Sequence, residues 1–234
     1  MLELDIYGAV NVFVPESEPL AVALRDGGVP ESRVRLIYPG VDLAAYVPGP
    51  PPPPRPFRLL FASTPSSPEA FEERGIPLLV EAARRAPHLE VVLPWRLWGD
   101  QAATTAALRG LDLPSNVRVE HVDVTDMPAL YRRVHVVATL FEAGAGKACP
   151  NSIVEGLASG RPVLVSTSTG IAGLIDRSGA GVVTERRVEE VIHAVERLAE
   201  GWNCYARQAR ALAEEVFDLR RFVREYAEIY RALA

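Results

Sequence analysis

A chain of 234 residues, 48% hydrophobic and 24% charged, can bury one good core and part of a second, which excludes a largely disordered protein. Its net charge of −5, with arginines scattered among acids, excludes the cationic footprint of a nucleic-acid binder. No apolar run is long enough to span a bilayer, and the opening MLELDIYGAV carries acids where a leader peptide carries basic residues.

The first fifty residues read as one βα unit and a second short strand. VNVFVP (10–15) is a strand, and a helix follows with Ser17 as N-cap and Gly27 and Gly28 as its stop. RVRLIY (33–38) then leads into PGVD. Residues 47–56, VPGPPPPPRP, can form neither helix nor central strand and predict an extended connector.

From Phe57 onward β-branched runs alternate regularly with amphipathic segments, the pattern of a parallel sheet covered on both faces. Strands are expected at 57–63, 89–94, 116–122, 135–140, 162–167 and 180–184, with helices near 75–86, 101–110, 126–133, 150–159, 170–176 and 187–200. The fold class is α/β, a Rossmann-like doubly wound parallel sheet of six strands. The tail, 203–233, reads as one long helix with Phe222, Val223, Tyr226, Ile229, Tyr230 and Leu233 on a stripe.

Ligands of open α/β sheets bind beyond the carboxyl ends of the strands, so chemistry is sought in the strand-to-helix loops. The most informative is FEAGAGKACPNSIVEG (141–156), which holds Lys147, the only lysine in the chain. AGAG lets backbone approach a ligand closely, and Pro150 suits a first helical position. The amides of Asn151, Ser152 and Ile153 would then point out of the helix start, a natural phosphate site, with the Lys147 charge beside them. Glu155, a turn further on, can accept two hydrogen bonds from a vicinal diol such as a ribose.

Three other loops point to the same sheet edge. Arg74, just before Gly75, reaches toward phosphate from the loop after the first strand. Residues 121–126, including Val122, offer backbone groups to a base, and STSTGIAG (166–173) lines the far wall. Each feature taken singly also has an ordinary reading as capping or a solvated charge; the weight lies in their convergence. No P-loop, GxGxxG or nucleophile elbow is present, and His88, His121, His135 and His193 lack ligand spacing, His135 reading as a strand-end residue. Cys149 and Cys204 show no metal or disulfide spacing; reduced thiols, a cytoplasmic location and no membrane contact by this portion are expected.

The succession RVRLIYPGVDLAAYVP, ERGIPLLVEAARR, DMPALYRRVHVVATLFE, CPNSIVEGLASGRPVLVST and FDLRRFVREYAEIYRAL resembles the C-terminal half of family-4 retaining glycosyltransferases, the group 1 type with the GT-B fold. The likeness covers essentially the whole chain and is most specific over 149–165. It implies that residues 1–46 are the last βα unit of an acceptor-binding domain plus the interdomain linker, that 47–56 connect, and that 57–234 bind a UDP-, GDP- or ADP-sugar without a metal. It also implies that the acceptor domain lies elsewhere, on a longer chain or a partner chain, so that this portion alone does not turn over.

Carried over by position, Glu155 matches the second acid of an E-x7-E motif, which holds the ribose. Asn151, Ser152 and Ile153, following Pro150, match the amides that meet the diphosphate, and Arg74 matches a phosphate-pairing cation. Three positions depart from the pattern. Lys147 stands where the motif's first acid, which contacts the sugar, is expected; Ser63 and Thr64 replace a Gly-Arg pair; and Thr169, Gly170, Ile171, Ala172 and Gly173 replace a loop that carries an acid. Lys147 thus either supplies the phosphate cation missing at Thr64, with Glu142 or another group meeting the sugar, or marks a weakened site, or is a solvated lysine. The resemblance favours a retaining glycosyltransferase donor domain; a degenerate, non-catalytic nucleotide-sugar-binding or regulatory module is the alternative, and a nucleotide-sugar epimerase is a more distant third.

Overall fold

The structure, a computed structural model, describes residues 8–96, 99–121 and 126–234, His121 by its backbone alone. Six strands, β1 (Phe57–Leu60), β2 (Leu89–Trp95), β3 (Val117–His121), β4 (Val136–Thr139), β5 (Val163–Ser166) and β6 (Gly181–Thr184), form one sheet. All neighbours are parallel and the order is β3-β2-β1-β4-β5-β6. The chain therefore winds outward from β1 in one direction and, from β4, in the other, which makes the β1/β4 boundary the topological switch point.

Ten α-helices and a short 3-10 turn (Glu31–Arg33) complete the described chain: α1 (Glu18–Asp26), α2 (Ala70–Arg74), α3 (Ile76–Arg85), α4 (Gln101–Gly110), α5 (Met127–Arg132), α6 (Asn151–Ala158), α7 (Ala172–Ser178), α8 (Val188–Glu200), α9 (Trp202–Val216) and α10 (Leu219–Leu233). Because successive side chains of a strand point to opposite faces, each strand feeds two cores. Leu59, Val91 and Ala138 pack with α3 and α8 on one face. Leu60, Val92 and Val137 pack with α5, α6, α7 and α9 on the other. His135, at the start of β4, stacks on Phe57 and accepts the Arg58 N–H through Nδ1 at 2.9 Å; it belongs to the sheet end opposite the carboxyl ends of the strands. Burial pushes its pKa down to about 4, keeping it neutral.

The structure corrects four local expectations. The tail is two helices, because Phe217 is fully buried and pairs with Val41 (Val41 N to Phe217 O, 2.7 Å) while Asp218 starts a new helix by accepting the Arg220 N–H at 2.9 Å. The segments 10–15 and 33–38 are not strands but share a single parallel bridge, Phe13 with Val34. Within the polar loop after β1, residues 70–74 form α2, which Gly75 ends in the left-handed conformation (φ 76°) before α3 begins. Finally, α7 starts two residues later than expected.

The proline-rich connector is held in place by Arg161, a fully buried cation without a carboxylate partner among the described residues. Its guanidinium donates to the carbonyls of Tyr131 (3.0 Å), Arg132 (3.2 Å) and Pro50 (3.4 Å) and lies 5.6 Å over the Trp202 ring. Arg210 adds a second fastening, donating to the carbonyls of Tyr46 (2.9 Å) and Ala158 (2.6 Å). No helix among the described residues is long and apolar enough to cross a membrane.

Candidate functional site

The carboxyl ends of β1 and β4 open a crevice between the loops 61–69 and 140–150. Gly75 makes the crevice tight: a Cβ there would lie 2.7 Å from the Leu140 carbonyl, so only glycine lets the α2–α3 corner close on the end of β4. That corner aims Arg74 into the crevice. Its guanidinium donates to Ser63 Oγ and, at 3.4 Å, to the Thr64 carbonyl, and lies 5.9 Å over the Phe141 ring. Burial lowers the Arg74 pKa, yet no carboxylate among the described residues lies within ion-pair distance. A half-buried cation held by neutral acceptors is poised to take an anion.

Across the crevice stands the N-terminus of α6. Pro150 is the N-cap, with φ of −66°, one place earlier than expected. Its carbonyl accepts the Ile153 N–H at 3.0 Å and the Val154 N–H at 3.3 Å, so the amides left facing outward are those of Asn151 and Ser152. The Ile153 side chain is fully buried and anchors the helix. Lys147 is exposed at the mouth, its Nζ donating to Asn151 Oδ1 at 3.4 Å. Ser63, Arg74, Lys147, Asn151 and Ser152 line one cavity of about 290 Å³.

A second cavity, about 540 Å³, adjoins the first through Phe141, Gly146 and Lys147. The loops 144–148 and 168–170 form two of its walls, and the third comes from the N-terminal segment, through Glu16, Ser17 and Leu20. Glu16 Oε1 accepts the Cys149 N–H at 3.2 Å. Burial, with Glu16 close by, pushes the Cys149 thiol far up, so it is protonated.

Glu155, one turn into α6, accepts from the Tyr131 hydroxyl at 2.7 Å. Tyr131 is fully buried and meets Tyr46 edge-on at 5.9 Å, and the Tyr46 hydroxyl also faces the carboxylate. Desolvation raises the Glu155 pKa against the opposing pull of the two hydroxyls and Arg96. Thr64 is turned elsewhere: its hydroxyl donates to the Pro94 carbonyl (3.0 Å) and accepts the Arg96 N–H (3.1 Å), tying the β1 loop to β2. Glu142 is paired with Arg186. Val122 lies outside the described residues.

The fold thus gathers Ser63, Arg74, Lys147, Pro150, Asn151 and Ser152 at one edge, with Glu155 behind them on the same helix. Sequence reasoning missed Glu16, Tyr46, Tyr131 and Phe141. Glu16 carries no motif and stands 133 positions from the amide it meets; the tyrosines read as ordinary apolar positions.

Comparison with known proteins places this architecture. The family model for glycosyl transferases group 1 matches residues 57–201, more than half of the chain. A comparison with curated proteins found no match. Among solved structures, Anabaena Alr3699/HepE in complex with UDP and glucose is 20% identical with a TM-score of 0.77, over 99% of this chain and 67% of that one. A glycosyltransferase from Rickettsia africae ESF-5 is 17% identical with a TM-score of 0.79, over 97% of this chain and 66% of that one. Sucrose-phosphate synthase from Thermosynechococcus elongatus is 17% identical with a TM-score of 0.77, over 94% and 57% respectively. This chain therefore spans about two thirds or less of the length of those proteins, and the likeness establishes the Rossmann-like fold of GT-B glycosyltransferases. By its family match and its fold, the chain belongs to the group 1 glycosyl transferases.

Proposed function

We propose that the chain binds the nucleotide-sugar donor of a retaining glycosyl transfer. The observation that carries this reading is the first cavity, where Arg74, Lys147 and the outward amides of Asn151 and Ser152 surround one space with no carboxylate among the described residues that line it. A diphosphate fits that set: two cations and the N-terminus of an eight-residue helix compensate its charge with no metal ion in the role. Glu155, oriented by the Tyr131 hydroxyl, accepts from the ribose hydroxyls. Lys147 takes over the phosphate role for which Thr64, engaged with Pro94 and Arg96, is unsuited.

The bound UDP of the HepE structure makes a uridine nucleotide the first to test, with GDP and ADP as the alternatives. Transfer with retention needs an acceptor held opposite this edge, by a further domain or a partner chain; this portion alone binds donor without turnover. The unpaired Cys149 and Cys204 suit a reducing, cytoplasmic setting.

A second reading, a non-catalytic nucleotide-sugar-binding or regulatory module, is favoured by the lysine at position 147. A thermal-shift panel of UDP, GDP, ADP and their glucose conjugates separates any nucleotide-binding site, catalytic or not, from a regulatory module that binds no nucleotide. A donor present at a hundred times its Kd stabilises the fold by about 2.7 kcal/mol. Lys147→Ala is expected to weaken that shift and Lys147→Glu to abolish it, since the latter turns attraction into repulsion. Stabilisation by none of the panel would reject the donor reading in favour of a partner module.

A further inference from the structure

We propose that Glu16 is the carboxylate that receives the hydroxyl groups of the donor's sugar, so that the N-terminal segment completes the donor site and selects a neutral hexose. The proposal rests on the nucleotide-sugar reading above and assigns the second cavity within it.

The two cavities share Phe141, Gly146 and Lys147 but differ in chemistry. The first is cationic. The second has, among the described residues that line it, a single carboxylate, Glu16, set against a wall of small residues that includes Ser168 and Gly170. A ligand that threads from one to the other must be anionic at one end and hydroxyl-bearing at the other, which describes a diphosphate with its sugar. The Lys147 ammonium lies at the junction, where phosphate oxygens claim it, and Glu16 is left to face the sugar.

Glu16 is held for this task. Its Oε1 takes the Cys149 N–H at 3.2 Å, and no cation among the described residues pairs with it. An ionised carboxylate only accepts hydrogen bonds, so its unused lone pairs match hydroxyl donors and oppose a second carboxylate. The segment carrying it is fixed on both sides: before it the Pro15 carbonyl accepts the Ile37 N–H at 3.1 Å, and after it Ser17 is fully buried and Glu18 takes Arg177 Nη2 at 2.7 and 2.9 Å. The opposite wall is fixed too, since a Cβ at Gly170 would lie 2.7 Å from Ala148 Cβ. A rigid acceptor costs less ordering on binding than a mobile one.

Calorimetric titration of the chain with UDP and UDP-glucose, with the GDP and ADP pairs run alongside, tests the assignment. Glu16→Ala is expected to lower affinity for the nucleotide-glucose by about tenfold to a hundredfold and to leave that for the nucleoside diphosphate unchanged. Glu16→Gln keeps an acceptor for the Cys149 amide, so an unaltered melting curve shows the fold intact; it is expected to lose affinity in the same direction and to narrow the preference for the glucose conjugate over the glucuronate conjugate. An undiminished affinity for the nucleotide-glucose in both variants overturns the proposal while leaving the diphosphate reading in place. Equal losses for nucleotide and nucleotide-sugar overturn it as well, because Glu16 would then serve the whole site. If the wild-type chain binds no nucleoside diphosphate, the underlying reading fails and this one falls with it.

Discussion

Arg74 enters the crevice because the next residue has no side chain. Among the described residues its guanidinium makes neutral hydrogen bonds only, to Ser63 and Thr64, and so retains its charge for a ligand. Arg74→Ala is expected to lower nucleoside diphosphate affinity by about tenfold to a hundredfold, the span of one or two charge-assisted hydrogen bonds, as read by calorimetry. Glu155 gives a pH signature of determined sign. Burial raises its folded pKa, so between about pH 4.3, the ordinary glutamate value, and that raised value the folded state binds more protons than the unfolded one. Stability from this group is present at low pH and lost as pH rises through the folded pKa. Glu155→Gln, which stays neutral throughout, should remove that decline, and urea unfolding across the pH series measures it. A wild-type curve parallel to that of Glu155→Gln would show that the two tyrosine hydroxyls offset desolvation completely.

The element that matters most is α6, since it presents the Asn151 and Ser152 amides at one end and Glu155 on its flank. Its distance from the sheet is set by Gly156, where a Cβ would meet Val137 Cγ2 at 2.7 Å. Gly156→Ala would push the helix off β4, costing about 1 to 3 kcal/mol as overpacking does, and weakening donor binding as the amides shift. Thermal melts with and without UDP check both effects; a stabilised variant would mean that the β4 contact yields. At the far end of the chain the sequence carried a strong helical stripe, yet α10 buries none of its residues and leaves Leu219, Val223, Tyr230 and Leu233 exposed. The break before it was hard to read because Phe217 and Asp218 fit a helical pattern as well as they fit an anchor and a cap. Only the bridge of Val41 with Asp218, in which Val41 N–H donates to the Phe217 carbonyl 176 positions along the chain, decides for the latter.

For the whole molecule, the connector and the sheet are joined by one buried cation. Arg161→Ala would strand the carbonyls of Tyr131, Arg132 and Pro50 and empty the space over Trp202, with an expected loss of about 3 kcal/mol or more in urea unfolding. A loss confined to a few tenths would mean that water replaces the guanidinium. Because Tyr46 and Pro50 lie on this strap, loosening it is also expected to weaken the hold on Glu155. The sequence by itself determined the doubly wound sheet, since buried β-branched runs alternating with helical segments admit few other arrangements, and it singled out the candidate ligand loop, since AGAGKACPNS joins flexible backbone to a helix start. It also marked Arg74, Lys147 and Glu155 by their place beside strand ends. What only the tertiary structure decided is which distant groups meet there. Glu16 reaches the Cys149 amide, Tyr46 and Tyr131 orient Glu155, and Thr64 turns away to β2. Those contacts depend on how separate segments pack across the sheet edge, and local periodicity encodes the elements but not the side-chain pairs formed where they converge.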